Sequence, residues 1–228
     1  MTLDKEDIYD IAKAVVKVIE DKDMMKSEEN DCTSEKVELQ TLNAGDTFKV
    51  AGYEWIVLNQ FKVLKTCFCI IKEVFNTLKT CFCIMKDFLG DTKPFDTYCN
   101  RWEPSRLRHD LKYIECEIED NCHHDVLQYM ERNLMALDGT MANEISIDKV
   151  SLLTLDEYRL YREYLEYPTK FPGHIEWVLL TAVSEENRSA ICAVDTCGVV
   201  KQCYCAESFN IRPVCTFRSD VLVERVHS

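Results

Sequence analysis

The chain has 228 residues, 46% of them hydrophobic, which is enough to bury a core without disulfide staples. Its formal net charge of -13 repels nucleic acid backbones, which argues against binding free DNA and favours basic partners. The cysteine count of 13 is odd and the N-terminus alternates charged with apolar residues, so a reducing cytosol is expected, and no apolar run is long enough to cross a membrane.

Residues 4–20 carry Ile8, Ile11, Ala12, Val15 and Ile19 at helical spacing, with Asp4 placed to cap, and predict an amphipathic helix. Residues 21–37 are polar, acidic and aperiodic, and read as a linker. The predicted organisation is therefore an N-terminal helix with an acidic linker over 1–37, followed by one domain over 38–228. The charge density of the linker makes Asp21, Asp23, Glu28, Glu29 and Asp31 the candidate partner-binding residues.

Phe48 and Val50, then Trp55 and Val57, alternate on either side of Ala51-Gly52 and predict a hairpin. The segment LKTCFCI at 64–70 returns at 78–84, a local duplication whose two copies read as strands. Beyond Trp102, Leu107, Leu111 and Ile114 fall on one helical face, with Pro104 suited to the first turn. A second helix is expected over 123–137 from Val126, Leu127, Met130 and Leu134. Thr154-Leu155-Asp156-Glu157 is a capping box, with Leu153 and Tyr158 at staple positions, opening a helix expected to reach about Glu166. Strand patterns then follow around 175–183, 189–196, 198–206 and 212–217, with a turn at Gly198. Strands, then helices, then strands predict an α+β fold: a mostly antiparallel sheet with several packed helices and the N-terminal amphipathic helix.

Three C-x-C pairs, Cys67/Cys69, Cys81/Cys83 and Cys203/Cys205, place two thiols on one side of a strand, a geometry open to zinc. These pairs sit in apolar strand patterns, unlike the tight turns of zinc knuckles, and core packing is the expectation. Cys116, Cys122, His123 and His124 have ligand chemistry without a second pair at recognised spacing. None of the nucleophile-elbow, zincin or phosphate-loop motifs occurs, and only six glycines are present. The expectation is a protein with no catalytic residue, no metal and no cofactor. Tyr158, Tyr161, Tyr164 and Tyr167 are expected to pack against a sheet and send hydroxyls to the rim.

The segments GYEWIVL (52–58), WEPSRLRHDL (102–111), KVSLLTLDEYRLY (149–161), IEWVLLT (175–181), AVDTCGVV (193–200) and FNIRPVCTF (209–217) together resemble a domain of unknown function from phages and prophages of Gram-positive bacteria. On that resemblance Trp55, Trp102, Leu107, Trp177, Arg212 and Pro213 are structural positions and none is catalytic. The acidic N-terminal helix, the duplicated LKTCFCI and Ile211 in place of a glycine depart from the pattern. As a whole the sequence resembles anti-CRISPR inhibitors of Listeria phages that act on the type VI-A RNA-guided RNase. The resemblance implies a monomer in the host bacterial cytoplasm that binds the CRISPR effector RNase with its guide RNA and blocks target RNA binding or nuclease activation. The alternative is a lectin-like or structural phage module that binds sugar or a virion protein.

Overall fold

The computed structural model describes residues 35–61, 80–122, 125–140, 145–165 and 176–226, all but Glu35 in the unit Lys36–Ser228. The first half of the described chain contains β1 (Lys36–Glu38), β2 (Thr47–Val50), β3 (Tyr53–Phe61), β4 (Thr80–Met85), β5 (Lys93–Pro94) and helix α1 (Arg106–Asn121). The short strands β6 (Leu127–Gln128), β7 (Met130–Arg132), β8 (Ser146–Asp148) and β9 (Val150–Ser151) lead to helix α2 (Leu155–Tyr161). Strands β10 (Trp177–Ala182), β11 (Ala190–Val194), β12 (Val200–Tyr204), β13 (Ser208–Phe209), β14 (Val214–Arg218) and β15 (Leu222–Val226) complete it.

Eight strands form one sheet in the order β1-β15-β2-β3-β4-β14-β6, with β9 also pairing β14. The triplet β10-β11-β12 and the pairs β13-β5 and β7-β8 make three smaller sheets. The middle of the large sheet is buried on both faces. In β4, Cys81, Cys83 and Met85 point into the core that α1 covers, while Phe82 and Ile84 join a second cluster with α2. An uninterrupted apolar run such as CFCIM is what a strand between two layers requires. In β3, Trp55 and Val57 face the first cluster and Ile56 and Leu58 the second, as strand alternation requires, and the register with β4 shifts between Val57 and Asn59.

The predicted hairpin forms with Thr47 opposite Ile56 and Val50 opposite Tyr53. Its two-residue turn has φ of 51° at Ala51 and 80° at Gly52, the signs a turn matched to strand twist needs. The second LKTCFCI copy supplies β4, whereas the first lies outside the described residues. Helix α1 begins at Arg106, with Ser105 as cap accepting from the Arg108 amide, so Pro104 precedes the cap; Leu107, Leu111, Ile114 and Ile118 are its buried stripe.

The α+β expectation, with several packed helices, is overturned. Strand accounts for 39% of the described residues and helix for 18%, with two α-helices among them, so this is a mostly β protein. Most of the difference lies in the helix expected over 123–137. From Met130 to Ala136 every second residue is buried, the period of a strand, and Arg132 takes one of those inward positions. An arginine inside breaks the apolar alternation that would have identified the strand. Helix α2 is also shorter than expected, giving way after Tyr161 to a 3-10 turn over Arg162–Tyr164. Lys36 and Val37, read as linker, lie in β1 and pair with Glu224 and Val223. The predicted N-terminal amphipathic helix lies outside the described residues. Among the described residues no helix is long and apolar enough to cross a membrane.

Candidate functional site

The candidate partner-binding residues Asp21, Asp23, Glu28, Glu29 and Asp31 lie outside the described residues, as do Cys67, Cys69, His123, His124 and Tyr167. The remaining C-x-C thiols occupy core positions: Cys81, Cys83 and Cys205 are buried and Cys203 is half-buried. Cys83 stands opposite Cys215 in the register of β4 and β14. Burial pushes the Cys81 thiol up to about 11 and those of Cys83 and Cys215 well above their ordinary value, so all three stay protonated at neutral pH. Cys116 is exposed on α1, and Cys122 caps its C-terminus. No group of three or more metal-ligating side chains occurs among the described residues. Tyr158 and Tyr161 are buried, and the Tyr158 hydroxyl donates to the Gly198 carbonyl at 2.8 Å.

The surface feature that composition did not reveal is the ribbon of β7 and β8. Glu131 faces Ile147, and Met130 and Arg132 face Asp148 and Ser146. The inner residues are fastened by polar contacts. Asp148 accepts from the Trp102 indole N–H, the Ser146 hydroxyl and the Arg108 Nε, each at 2.8 Å. Arg132 is 3% exposed; its Nη1 and Nη2 meet the two Glu157 carboxylate oxygens at 2.8 and 2.5 Å, and Nη2 also donates to the Leu152 carbonyl at 2.7 Å. A buried guanidinium is tolerable only with such a set of acceptors. Glu157 is the same carboxylate that closes the capping box of α2. The ribbon is thereby tied to both helices.

With its inner side fixed, the ribbon presents an apolar outer side. Ile147 is 61% exposed, Ile145 just before β8 is 56% exposed, and Tyr129 just before β7 is 68% exposed. Lys149 lies 5.0 Å from the Tyr129 ring and is paired with Glu119, which holds the ammonium above its ordinary value. Glu115 adds its field at the same point and Glu131 stands among the isoleucines, so carboxylates border the apolar side chains.

Of these three, Ile147 lies in β8, while Ile145 and Tyr129 flank the strands; an aromatic ring and β-branched side chains are types that lose little conformational entropy on docking. Complete burial of the three side chains would gain roughly 5–8 kcal/mol by area. Association itself costs about 4–15 kcal/mol. Area burial of this size does not by itself exceed that cost, so charge complementarity would have to add to it. No signal in the pattern of 129–147 revealed the face, because recognising it required Arg132 to be placed inside.

No protein-family model, curated protein or solved structure matches the chain.

Proposed function

We propose that this chain is a non-catalytic binding protein that occupies a basic protein surface, anchored by the outer side of the β7-β8 ribbon. The observation that carries the reading is the exposed trio Tyr129, Ile145 and Ile147, bordered by carboxylates in a molecule of net charge -13. On this reading the apolar side chains on the outer side of the ribbon serve as a docking surface, since exposed apolar residues gathered together mark interaction sites more often than scattered ones. The carboxylates around them favour an electropositive partner, such as a protein that holds RNA.

The identity of that partner rests on the motif resemblance alone: the type VI-A RNA-guided RNase with its guide RNA, inhibited one to one by occlusion of target RNA or of the activating rearrangement. Titration of the purified effector, with and without guide RNA, tests this. Complete inhibition is expected at one equivalent, and Ile147→Asp is expected to weaken binding at least about tenfold with little change in melting temperature. Absence of binding, or one molecule disabling many effectors, overturns the reading. Recovery of the protein from virions without any effect on the nuclease would support the sugar-binding or structural phage module instead.

A further inference from the structure

The three-stranded sheet β10-β11-β12 is covered along one edge and open along the other. Beside β10, the Val178 amide donates to the Asn210 carbonyl at 3.2 Å and the Leu180 amide to the Leu153 carbonyl at 2.8 Å. Among the described residues no strand lies beyond β12. Every residue of β10 and β11 is buried, whereas none of β12 is, and Lys201, Gln202 and Tyr204 are exposed.

The register identifies the backbone groups left over at that edge. β12 pairs with β11 without a shift, from Ala190 opposite Tyr204 to Val194 opposite Val200. The Asp195 amide donates to the Val199 carbonyl at 2.9 Å and the Cys205 amide to the Ser189 carbonyl at 2.8 Å, so both ends of the ladder are hydrogen-bonded pairs. Antiparallel pairs alternate, so Lys201 and Cys203 also turn their amides and carbonyls to β11, while Val200, Gln202 and Tyr204 turn theirs away. Of these six outward groups only the Tyr204 carbonyl has a backbone partner among the described residues, the Glu207 amide at 2.9 Å. Edge strands are commonly protected by a proline, a bulge or an outward lysine. β12 has neither proline nor bulge, and Lys201 reaches back over its own sheet to Asp195 at 3.1 Å and Glu176 at 3.6 Å.

We infer that β12 pairs antiparallel with β12 of a second copy of this chain, joining two three-stranded sheets into one of six strands about a two-fold axis at Gln202. The strand is self-complementary in that register. Val200 stands opposite Tyr204 of the partner subunit, Lys201 opposite Cys203 of the partner subunit, and the two Gln202 residues face each other, so all five residues pair and no like charges meet. Centring on Lys201 or on Cys203 would pair only three residues of each strand, and the first would set two ammonium groups opposite each other. The net charge of -13 on each copy opposes approach, so pairing tightens as salt screens it. A contact of one short strand is of the small, transient class. It uses no residue of the β7-β8 ribbon, so the inference is independent of the function proposed above.

The test is sedimentation equilibrium of the full chain under reductant, from about 10 μM to about 1 mM, the range of weak complexes. A reversible monomer-dimer equilibrium is expected, tighter at about 0.5 M salt than at about 0.05 M. Gln202→Pro removes an amide that faces away from β11, so the variant is expected to fold, with circular dichroism as the check, and to weaken dimerisation at least about tenfold. Gln202→Lys sets two ammonium groups at the axis and is expected to weaken it most at low salt, which keeps the test decisive should the proline variant fail to fold. A monomer throughout that range, growth beyond the dimer, or a dimer indifferent to both substitutions overturns the inference. A dimer lost in Ile147→Asp and kept in the Gln202 variants overturns it as well, and assigns self-association to the ribbon.

Discussion

Glu157 serves two partners with one carboxylate. Oε2 accepts from the Thr154 amide at 2.8 Å, as the reciprocal arm of the capping box, and from Arg132 Nη2 at 2.5 Å. Its side chain is 25% exposed while that of Arg132 is 3% exposed, so water reaches the anion and not the cation. Glu157→Ala should therefore cost about 3 kcal/mol, the lower end for breaking a buried pair, chiefly by stranding the guanidinium. Thr154→Ala removes only the cap and should cost about 1 kcal/mol. Urea denaturation of the two variants gives the comparison; equal losses would mean that the Leu152 carbonyl, or a route to solvent, suffices for Arg132. The capping box was legible in the sequence because its partners lie within four residues. The contact with Arg132, 25 residues away, was not, since nothing local marks that arginine as buried.

The hairpin of β2 and β3 shows at the level of an element how local chemistry suffices. Alternation on both arms and glycine at the second turn position specify the register. At Gly52 a Cβ would meet nothing within 4 Å, so the cost of adding one comes from the backbone alone. Gly52→Ala should destabilise by about 1–2 kcal/mol through the left-handed φ. Chemical denaturation checks this, and an unchanged midpoint would mean that the turn relaxes to another type. Strand β4 was equally readable as a β-rich apolar run. The segment 123–137 was not, because Val126, Leu127, Met130 and Leu134 fit a helical face about as well as a strand, and the tie is broken by pairing. Leu127 stands opposite Phe217 of β14, and Met130 opposite Asp148 of β8.

Buried thiols lie in both core clusters: Cys81, Cys83 and Cys215 on one face of the large sheet, and Cys192 on β11 of the three-stranded sheet. Burial raises Cys81 and Cys192 from the ordinary 9.0 to about 11, and Cys83 and Cys215 well above it. A raised pKa means that the folded state holds its proton after the unfolded state has lost it. Stability from these groups is thus complete below about pH 9 and is lost as pH rises towards and through about 11. Thermal melts across that interval should show a falling midpoint, with thiolate absorbance rising only as the chain unfolds. A flat midpoint, or thiolate appearing in the folded protein, would contradict the packing role of these cysteines. The fold class was misread because the segment expected to form a helix over 123–137 supplies β6 and β7, which pair with β14 and β8.

What the amino-acid order determined by itself was local: the Ala51-Gly52 hairpin, the capping box, the buried face of α1, the strand character of CFCIM and the acidic charge. Each depends on interactions within a few residues, where spacing and side-chain type are sufficient. Tertiary structure alone decided that Arg132 and Arg212 are interior, that Tyr129, Ile145 and Ile147 remain outside, and that β12 is left as an open edge. Those outcomes depend on which distant strands pair, and pairing is selected by the free energy of the completed core, a property that no short window of sequence contains.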